Sequence, residues 1–272
     1  MKRLDRKVAL VTGGGRGIGL SLTRKLAAEG ARVVVNDLDA TEAEAAADAI
    51  RNAGGLAFAY PGNVTREGFA RGFIGAALRE FGDVHILVNN AGYIWNAPLH
   101  KISDEQWDAI QDVHLKAPFR ILRELHSFLS PRVAEEQAAG AVVHRKIVNV
   151  SSVSATVGAP GQANYAAAKA GLHGLTRALA REWGPLAVNV NCVAFGYIET
   201  RLTQEISGET VVTIEGVARR VGLTRAMIEG LRERIPLGRA GTPDEAAGGV
   251  MLFCMPESDY VSGQILEVSG GL

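Results

Sequence analysis

The chain has 272 residues, 47% of them hydrophobic, and its 29 Lys and Arg balance its 29 Asp and Glu. A disordered chain is excluded, because disorder needs low hydrophobicity together with high net charge. The balanced charge argues against broad electrostatic capture of nucleic acid or of an anionic membrane, and it favours a small-molecule partner. With only two cysteines, no signal-peptide pattern and no membrane-length apolar run, we expect a reducing, cytoplasmic location.

Short runs rich in β-branched residues alternate with longer segments of helical pattern. The runs predicted to be strands are Lys7–Thr12, Arg32–Asp37, Leu56–Tyr60, His85–Asn90, Lys146–Ser151, Val188–Val193 and Ile265–Val268. Nearly continuous apolar strands separated by helices are typical of a parallel sheet that is covered on both faces. We therefore predict an α/β, Rossmann-type fold with one seven-stranded parallel sheet, and a single domain over residues 1–272, because no linker or repeat divides the chain.

Two connections are longer than a crossover between parallel strands requires. Ser130–Arg145 joins a helix to the fifth strand, and Thr203–Pro236 follows the sixth. Long excursions from a compact α/β unit are usually functional or disordered. We expect the second connection, at about residues 203–236, to be a lid over a substrate site.

A glycine-rich loop lies between the first predicted strand and a helical pattern. Residues Thr12–Gly19 read TGGGRGIG, which is not the strict G-x-G-x-x-G fingerprint. Gly13, Gly17 and Gly19 still supply a tight turn, close approach of the backbone and a helix amino terminus that can face a pyrophosphate. The position between strand and helix favours a dinucleotide site over a plain turn.

Asp37 ends the second predicted strand, about 20 residues beyond the glycines. Its carboxylate can accept hydrogen bonds from the adenosine ribose and repel a 2′-phosphate, which favours NAD over NADP. Arg16 opposes this preference, because its guanidinium could pair with a 2′-phosphate if it is not simply solvated, so NADP stays possible. Asn63 and Val64 are expected beside the adenine, unless they form an ordinary turn.

Tyr165 and Lys169 are four residues apart in an Ala-rich helical segment, so they share a helix face. A phenol with a pKa of about 10 is a poor acid–base group at neutral pH, and a neighbouring ammonium is expected to lower that pKa. The spacing therefore indicates general acid–base chemistry. Taken alone, the two residues could be an exposed pair, and Ser152 a hydroxyl at a strand end.

The glycine loop, the run Asn89–Gly92 and the set Ser152, Tyr165 and Lys169 together resemble the short-chain dehydrogenase/reductase family. The resemblance extends from about Lys7 to Gly271. It implies a Rossmann-type subunit, usually in a homotetramer, that moves hydride between a nicotinamide and a small carbonyl or alcohol substrate.

The resemblance also implies roles for individual residues. Tyr165 would exchange the proton at the substrate oxygen, Lys169 would support Tyr165 and bind the nicotinamide ribose, and Ser152 would hold the substrate oxygen. Ser152 is chosen over Ser151 by its separation from the tyrosine. The residues implied to bind the cofactor are Gly13, Gly15, Arg16, Gly17, Ile18, Gly19, Asp37, Leu38, Asn63, Val64, Asn90, Ala91, Gly92, Tyr165, Lys169, Gly196, Ile198 and Thr200.

Two positions depart from the family's pattern. His114 stands where the family often has a catalytic asparagine, whose backbone carbonyl supports a proton relay, so we expect the relay to survive. Histidine there resembles the (3R)-hydroxyacyl-CoA dehydrogenase branch, although a histidine on a helix is more often a packed residue. Phe195 stands where a proline usually precedes Gly196, which removes a backbone restraint.

These observations predict an NAD(P)(H)-dependent oxidoreductase of secondary alcohols or ketones, with 3-oxoacyl carrier-protein reductases and 3-hydroxyacyl-CoA dehydrogenases as the first analogy. A sugar, polyol or steroid dehydrogenase and a non-catalytic NAD(P)-binding sensor are the alternatives. No metal is expected, since no Cys/His pair has ligand spacing. Candidate substrate contacts are Tyr93, Ile94, Trp95, Val153–Gln162 and the lid, where Arg219, Arg220 and Arg225 could receive thioester phosphates or be solvated.

Overall fold

The computed structural model describes residues 2–201, 203–204, 211–214, 217–220, 222 and 224–272, with only the backbone described for 211–214 and 217–220. The strands are β1 (Val8–Val11), β2 (Arg32–Val35), β3 (Leu56–Ala59), β4 (Ile86–Asn89), β5 (Arg145–Ser152), β6 (Val188–Phe195), β7 (Val211–Ile214), β8 (Val217–Arg220) and β9 (Ile265–Val268). The helices are α1 (Gly17–Ala28), α2 (Ala40–Asn52), α3 (Phe69–Phe81), α4 (Asp104–Gln111), α5 (Ala117–Ala138), α6 (Ser154–Val157), α7 (Ala163–Glu182), α8 (Arg225–Arg234) and α9 (Pro243–Cys254). Short 3-10 turns cover Leu99–Lys101, Gly184–Leu186 and Pro256–Ser258, and a π-helical turn covers Asp112–Lys116.

Seven strands form one parallel sheet in the order β3-β2-β1-β4-β5-β6-β9, which confirms the predicted fold class. The predicted strands differ from the observed ones by a few residues at their ends. The direction of winding reverses between β1 and β4, and this reversal opens a crevice at the carboxyl ends of the strands. The crevice is where the glycine loop, Asn89–Gly92 and Ser152 are expected to meet.

Two apolar clusters cover the two faces of the sheet. Along β1, Ala9 and Val11 belong to a cluster with α1, α2 and α9, whereas Val8 and Leu10 belong to a cluster with α3, α5 and α7. All four side chains are almost fully buried. Burial of both faces explains why the central strands are continuously apolar rather than alternating.

The connection predicted over Ser130–Arg145 is largely helical. Helix α5 continues through Pro131 to Ala138. Proline removes one backbone donor from a helix, but Leu129 and Val133 on either side of it are buried and hold the helix against the sheet. Packing therefore overrides the local signal to end the helix.

The predicted lid region contains secondary structure of its own. Strands β7 and β8 pair in antiparallel fashion, and α8 follows them. Ile228 and Ile235 pack with Tyr197 and Ala240 in a third small cluster, so α8 is attached to the loop after β6.

The three arginines proposed from the sequence as phosphate ligands have different outcomes. The side chains of Arg219 and Arg220 lie outside the described residues. Arg225 pairs with Glu229 at 2.9 Å on an exposed helix face. The interpretation of Arg225 as a solvated charge on a helix is therefore the better one.

None of the helices in the described part of the chain is both long enough and apolar enough to span a bilayer.

Candidate active site

The glycine loop has the geometry of an anion cradle. Gly13 and Gly17 adopt φ values of 62° and 51°, which side chains disfavour. A Cβ on Gly19 would lie 1.9 Å from the Gly13 carbonyl oxygen, so a side chain there would collide with the loop. At the start of α1, the side chain of the N-cap residue Arg16 does not cap the helix by a hydrogen bond. The first-turn N–H groups are therefore available to a pyrophosphate, and the loop fits that group.

The segment after β4 supports the glycine loop. The Asn90 Nδ2 atom donates to the carbonyl oxygens of Thr12 and Gly13, at 3.0 and 2.9 Å. The Thr12 hydroxyl accepts from the backbone N–H groups of Asn90 and Ala91, both at 3.0 Å. The predicted cofactor residues of these two segments are thus brought together. Thr12, which links them, was not singled out from the sequence, although its place before the glycines was a signal.

Asp37 lies at the edge of the cradle, as predicted. Its carboxylate accepts from the Gly15 N–H at 3.1 Å and from the Asp39 N–H at 3.2 Å. Gly62 donates its N–H to the Asp37 carbonyl at 2.9 Å, which places the turn with Asn63 and Val64 beside Asp37. Leu38 is exposed and Val64 is buried.

Arg16 is paired with carboxylates, although its side chain is 33% exposed. Its Nη2 atom lies 2.5 Å from Asp39 Oδ2 and 3.1 Å from Glu42 Oε1. Sequence reasoning missed both carboxylates. The helical pattern of α2 offered a signal, because Asp39 and Glu42 are three residues apart at its start.

The side chains of Ser152 and Tyr165 interact at the carboxyl end of β5. Burial raises the pKa of Tyr165 to about 12, and the interaction with Ser152 acts in the opposite direction. The expected lowering of this pKa by Lys169 is not found. The Lys169 Nζ atom donates to the Val150 carbonyl at 2.6 Å and lies 5.6 Å from the centroid of the Tyr165 ring, so its charge faces the backbone and the ring.

Lys169 is itself strongly perturbed. Its side chain is buried beneath the crevice, and this burial lowers the pKa of its ammonium to about 8. A lysine with this pKa can lose its charge close to neutral pH. The pair therefore combines a phenol that stays protonated with an amine that titrates.

The two adjacent serines have different partners. The Ser151 hydroxyl donates to the Lys169 carbonyl at 3.1 Å and lies 2.9 Å from His173 Nε2. The Ser151 hydroxyl thus connects β5 to α7. The Ser152 hydroxyl instead contacts Tyr165 and accepts from the Ser154 N–H at 3.2 Å. The geometry therefore favours Ser152 as the serine next to the reacting groups. His173, four residues after Lys169, was missed because a histidine on a helix carries no specific signal.

His114 lies in the π-helical turn Asp112–Lys116, beside Tyr165. Its Nε2 atom is 2.6 Å from the Tyr93 carbonyl, and its ring meets the ring of Tyr165 edge to face, with centroids 5.0 Å apart. A Cβ on Gly92 would lie 2.1 Å from the imidazole. Burial, then the charge of Lys169, lowers the pKa of His114 well below its usual range. A neutral ring follows, with Nε2–H donating and Nδ1 lacking a partner among the described residues.

The loop after β6 is held by close packing and a backbone bridge. Phe195 is buried at the end of β6, and Gly196 approaches Ser269 so closely that a Cβ would lie 2.8 Å away. Ile198 is buried and forms a parallel bridge with Gly241.

A threonine closes the next turn of this loop. Thr203 Oγ1 accepts from the Thr200 N–H at 2.9 Å and lies 2.5 Å from the Ile198 carbonyl. Thr200 thereby stays within 4 Å of the position that a Cβ on Gly17 would occupy.

Two of the predicted substrate segments lie side by side. The Ala97 N–H donates to the Gly161 carbonyl at 3.0 Å, and Asn164 Nδ2 donates to the Trp95 carbonyl at 3.2 Å. The segments 93–97 and 153–162 therefore share one rim of the crevice, next to Tyr165. Ile94 lies within the first of these segments.

A loop that fits a pyrophosphate, with a buried phenol at the same edge of the sheet, suits hydride-transfer chemistry on a carbonyl or alcohol. The fold and the site thus define the class of protein: a nicotinamide-dependent oxidoreductase.

Comparison with known proteins identifies the family. The model of the family described as enoyl-(acyl carrier protein) reductase matches residues 13–272. A 3-oxoacyl-[acyl-carrier-protein] reductase of Thermotoga maritima is 35% identical over 270 residues, covering 99% of both chains. The short-chain reductase protein NovJ of Streptomyces niveus is 37% identical over 98% of this chain and 94% of its own.

Solved structures of dehydrogenases superimpose on nearly the whole chain. A gluconate 5-dehydrogenase of Burkholderia cenocepacia, in complex with NADP and tartrate, superimposes with a TM-score of 0.85 at 33% identity, over 99% of this chain and 96% of that one. A short-chain dehydrogenase/reductase variant of Serratia marcescens gives a TM-score of 0.80 at 29% identity, over 99% and 98%. The chain belongs to the short-chain dehydrogenase/reductase family, and it is an NAD(P)-dependent oxidoreductase.

Proposed function

We propose that the protein interconverts a 3-oxoacyl thioester and its 3-hydroxy form. The observation that carries this proposal is the buried phenol of Tyr165, which interacts with Ser152 at the carboxyl end of β5 and meets the ring of His114 edge to face, since it puts a protonated phenol where a substrate oxygen can be reached. Several relatives of similar length are 3-oxoacyl-[acyl-carrier-protein] reductases, which supports an acyl thioester as the substrate class.

The catalytic roles follow from the protonation states. When bound, the nicotinamide dinucleotide supplies or accepts the hydride. Tyr165, whose pKa is raised to about 12, is a phenol at neutral pH and donates its proton to the carbonyl oxygen during reduction. Ser152 donates a hydrogen bond to the same oxygen and holds it in place. Lys169, beneath the tyrosine ring, adds positive charge and a donor toward the nicotinamide ribose.

His114 acts by position in this proposal. Its neutral ring packs edge to face against Tyr165 and fixes the orientation of the phenol. Its backbone lies in the π-helical turn, a distortion that often marks functional sites.

The preferred cofactor in this proposal is NAD(H). Asp37 presents a carboxylate at the end of β2, and its oxygens are already oriented by two backbone N–H groups. The neutral hydroxyls of a ribose suit that carboxylate better than a 2′-phosphate does. The ion pairs of Arg16 support the same preference.

The assembly and location are also proposals. We propose a homotetrameric, cytoplasmic enzyme built from a single domain, with residues 203–236 as a lid over the substrate. The half-exposed aromatic side chains of Trp107 on α4 and Phe119 on α5 support association of subunits. Light scattering coupled to size exclusion will measure the subunit number directly.

A polyol or sugar acid is the second candidate substrate. The gluconate 5-dehydrogenase of Burkholderia cenocepacia is the specific observation in its favour, because its fold superimposes over almost the whole chain. The catalytic set would be the same, and only the rim and the lid would differ in what they contact.

A turnover screen separates these candidates. The absorbance of the reduced nicotinamide would be followed with NADH and NADPH against 3-oxoacyl thioesters, sugar acids, polyols and steroids. We expect the highest kcat/KM with a 3-oxoacyl thioester and NADH. A higher kcat/KM with gluconate-type substrates would replace the first candidate by the second, and binding of NAD(H) without turnover of any class would favour a sensor.

A further inference from the structure

A compact group of charges surrounds the place where Asp37 meets the glycine loop. Arg16 lies between Asp39 and Glu42, at 2.5 and 3.1 Å. Arg201, from the loop after β6, is the second cation of this group. Its pKa is lowered first by burial and then by the like charge of Arg16, while the carboxylates of Asp37, Asp39 and Glu42 act in the opposite direction. Three carboxylates and two guanidinium groups therefore influence one another electrostatically here, and Arg16 contacts two of the carboxylates directly.

The contacts of Asp39 make the arrangement specific. Its Oδ1 accepts from the Thr41 N–H at 3.0 Å and caps α2, while Oδ2 contacts Arg16. The backbone of Asp39 is fixed in turn by the bond from its N–H to Asp37. These backbone hydrogen bonds fix the position of the Asp39 carboxylate independently of Arg16. Arg16 therefore pairs with a rigid partner.

Arginine is the residue best suited to bind a phosphate, through paired N–H donors. Here the Nη2 atom of Arg16 already lies against both carboxylates. A 2′-phosphate would have to compete with them for the guanidinium and would also be repelled by their charges.

We infer that Asp39 and Glu42 determine cofactor specificity, by holding Arg16 in an internal ion-pair network that withholds it from a 2′-phosphate. The inference rests on the proposed dinucleotide site and goes beyond the role of Asp37. Arg16 would be able to bind a 2′-phosphate if the two carboxylates at the start of α2 did not already pair with it.

The test compares binding of NADH and NADPH by calorimetry, which needs no substrate and no turnover. The double variant Asp39→Asn/Glu42→Gln removes both charges while asparagine keeps the oxygen that caps α2. We expect the ratio of Kd for NADPH to Kd for NADH to fall by at least about tenfold, since each carboxylate acts on a nearby doubly charged phosphate. The shift should shrink as salt is raised, because the group is partly exposed.

The chain offers a matched control on the same helix. Asp48 and Glu44 both contact Arg51, at 2.7 and 3.5 Å, on the exposed face of α2. The variant Asp48→Asn/Glu44→Gln removes the same two charges and releases one arginine away from Asp37. It should change the Kd ratio by less than about twofold. An equal shift in both double variants would overturn the inference.

A third variant tests whether Arg16 itself gains the phosphate. Adding Arg16→Ala to Asp39→Asn/Glu42→Gln should reverse most of the shift, whereas a shift that survives in full would overturn the inference. Glu42→Gln alone, which leaves the cap of α2 intact, gives a smaller shift in the same direction and protects the test against misfolding of the double variant. If the wild type binds neither dinucleotide, the proposed function fails at an earlier step; if it binds NADH but no variant changes the ratio, only this inference fails.

Discussion

Buried ionisable groups are paired with opposite charges at the amino edge of the sheet, whereas at the carboxyl edge their pKa values are shifted toward the neutral forms. At the amino edge, Arg145 is 1% exposed and contacts both oxygens of Glu136, at 2.9 and 2.7 Å, and Asp83 at 3.3 Å. Lys146 contacts Asn189 at 3.0 Å and Asp259 at 2.7 Å. These charges are compensated, and the hydrogen bond with Arg145 lowers the pKa of Glu136.

At the carboxyl edge, the buried groups are shifted toward their neutral forms. Burial lowers the pKa of Lys169 to about 8 and that of His114 well below its usual range, and it raises that of Tyr165 to about 12. Removing one partner of a compensated pair costs stability, whereas groups with perturbed pKa values are typical of functional sites. The comparison predicts that substitutions at one edge reduce stability and that substitutions at the other reduce catalysis.

The largest effect on catalysis is expected for Tyr165→Phe. Removing the hydroxyl removes the proposed proton donor, and we expect kcat to fall by about 10²- to 10⁴-fold, with little change in the urea midpoint. Steady-state kinetics and equilibrium unfolding measure the two quantities. Tyr260→Phe, at a fully exposed tyrosine, is the matched control and should change neither. Wild-type rates in Tyr165→Phe would exclude the mechanism proposed here.

The largest effect on stability is expected at the amino edge, for Arg145→Met. The substitution leaves the buried Asp83 and the partly buried Glu136 without their main partner, and we expect a loss of about 3 kcal/mol in the free energy of unfolding. The activity of the folded fraction should be retained. Arg51→Met removes an arginine that also contacts two carboxylates, but on the surface, and should cost less than about 1 kcal/mol. Equal losses in the two variants would contradict the contrast between the edges.

The pH profile of reduction tests the charge of Lys169. Below a pKa of about 8 the side chain is a cation, and above it the charge is lost, while Tyr165 stays protonated over the whole accessible range. Because kcat/KM reports the free enzyme, we expect a plateau near neutral pH and a fall above pH 8. Lys169→Arg keeps its charge and should lose this fall, even at a lower absolute rate. A wild-type profile that is flat to pH 10 would contradict the expected dependence of reduction on this charge.

The smallest effect is expected for His114→Asn. The imidazole touches the ring of Tyr165 but is placed to orient it, and the backbone of the π-helical turn is kept. We therefore expect at least a tenth of the wild-type kcat/KM to remain. A greater loss in steady-state kinetics would show that the imidazole itself takes part in the chemistry.

The sequence by itself determined the framework of this protein. Continuous apolar strands require a sheet that is buried on both faces, and the glycines after β1 permit φ values and close approaches that side chains forbid. The spacing of Tyr165 and Lys169 put both on one helix face, because the helical period is local. The fold class, the glycine turn and the shared helix face of Tyr165 and Lys169 could therefore be predicted from neighbouring residues.

Only the tertiary structure determined the protonation states and the contact partners of those residues. Burial moved the pKa of Tyr165 upward, against the prediction from its spacing with Lys169. The carboxylates that contact Arg16 lie at the start of α2, beyond the second strand. The Lys169 carbonyl, which accepts from Ser151 and so distinguishes it from Ser152, lies in α7. Desolvation and ion pairing depend on what the folded chain brings within a few ångströms, and no local pattern in the sequence records those distances.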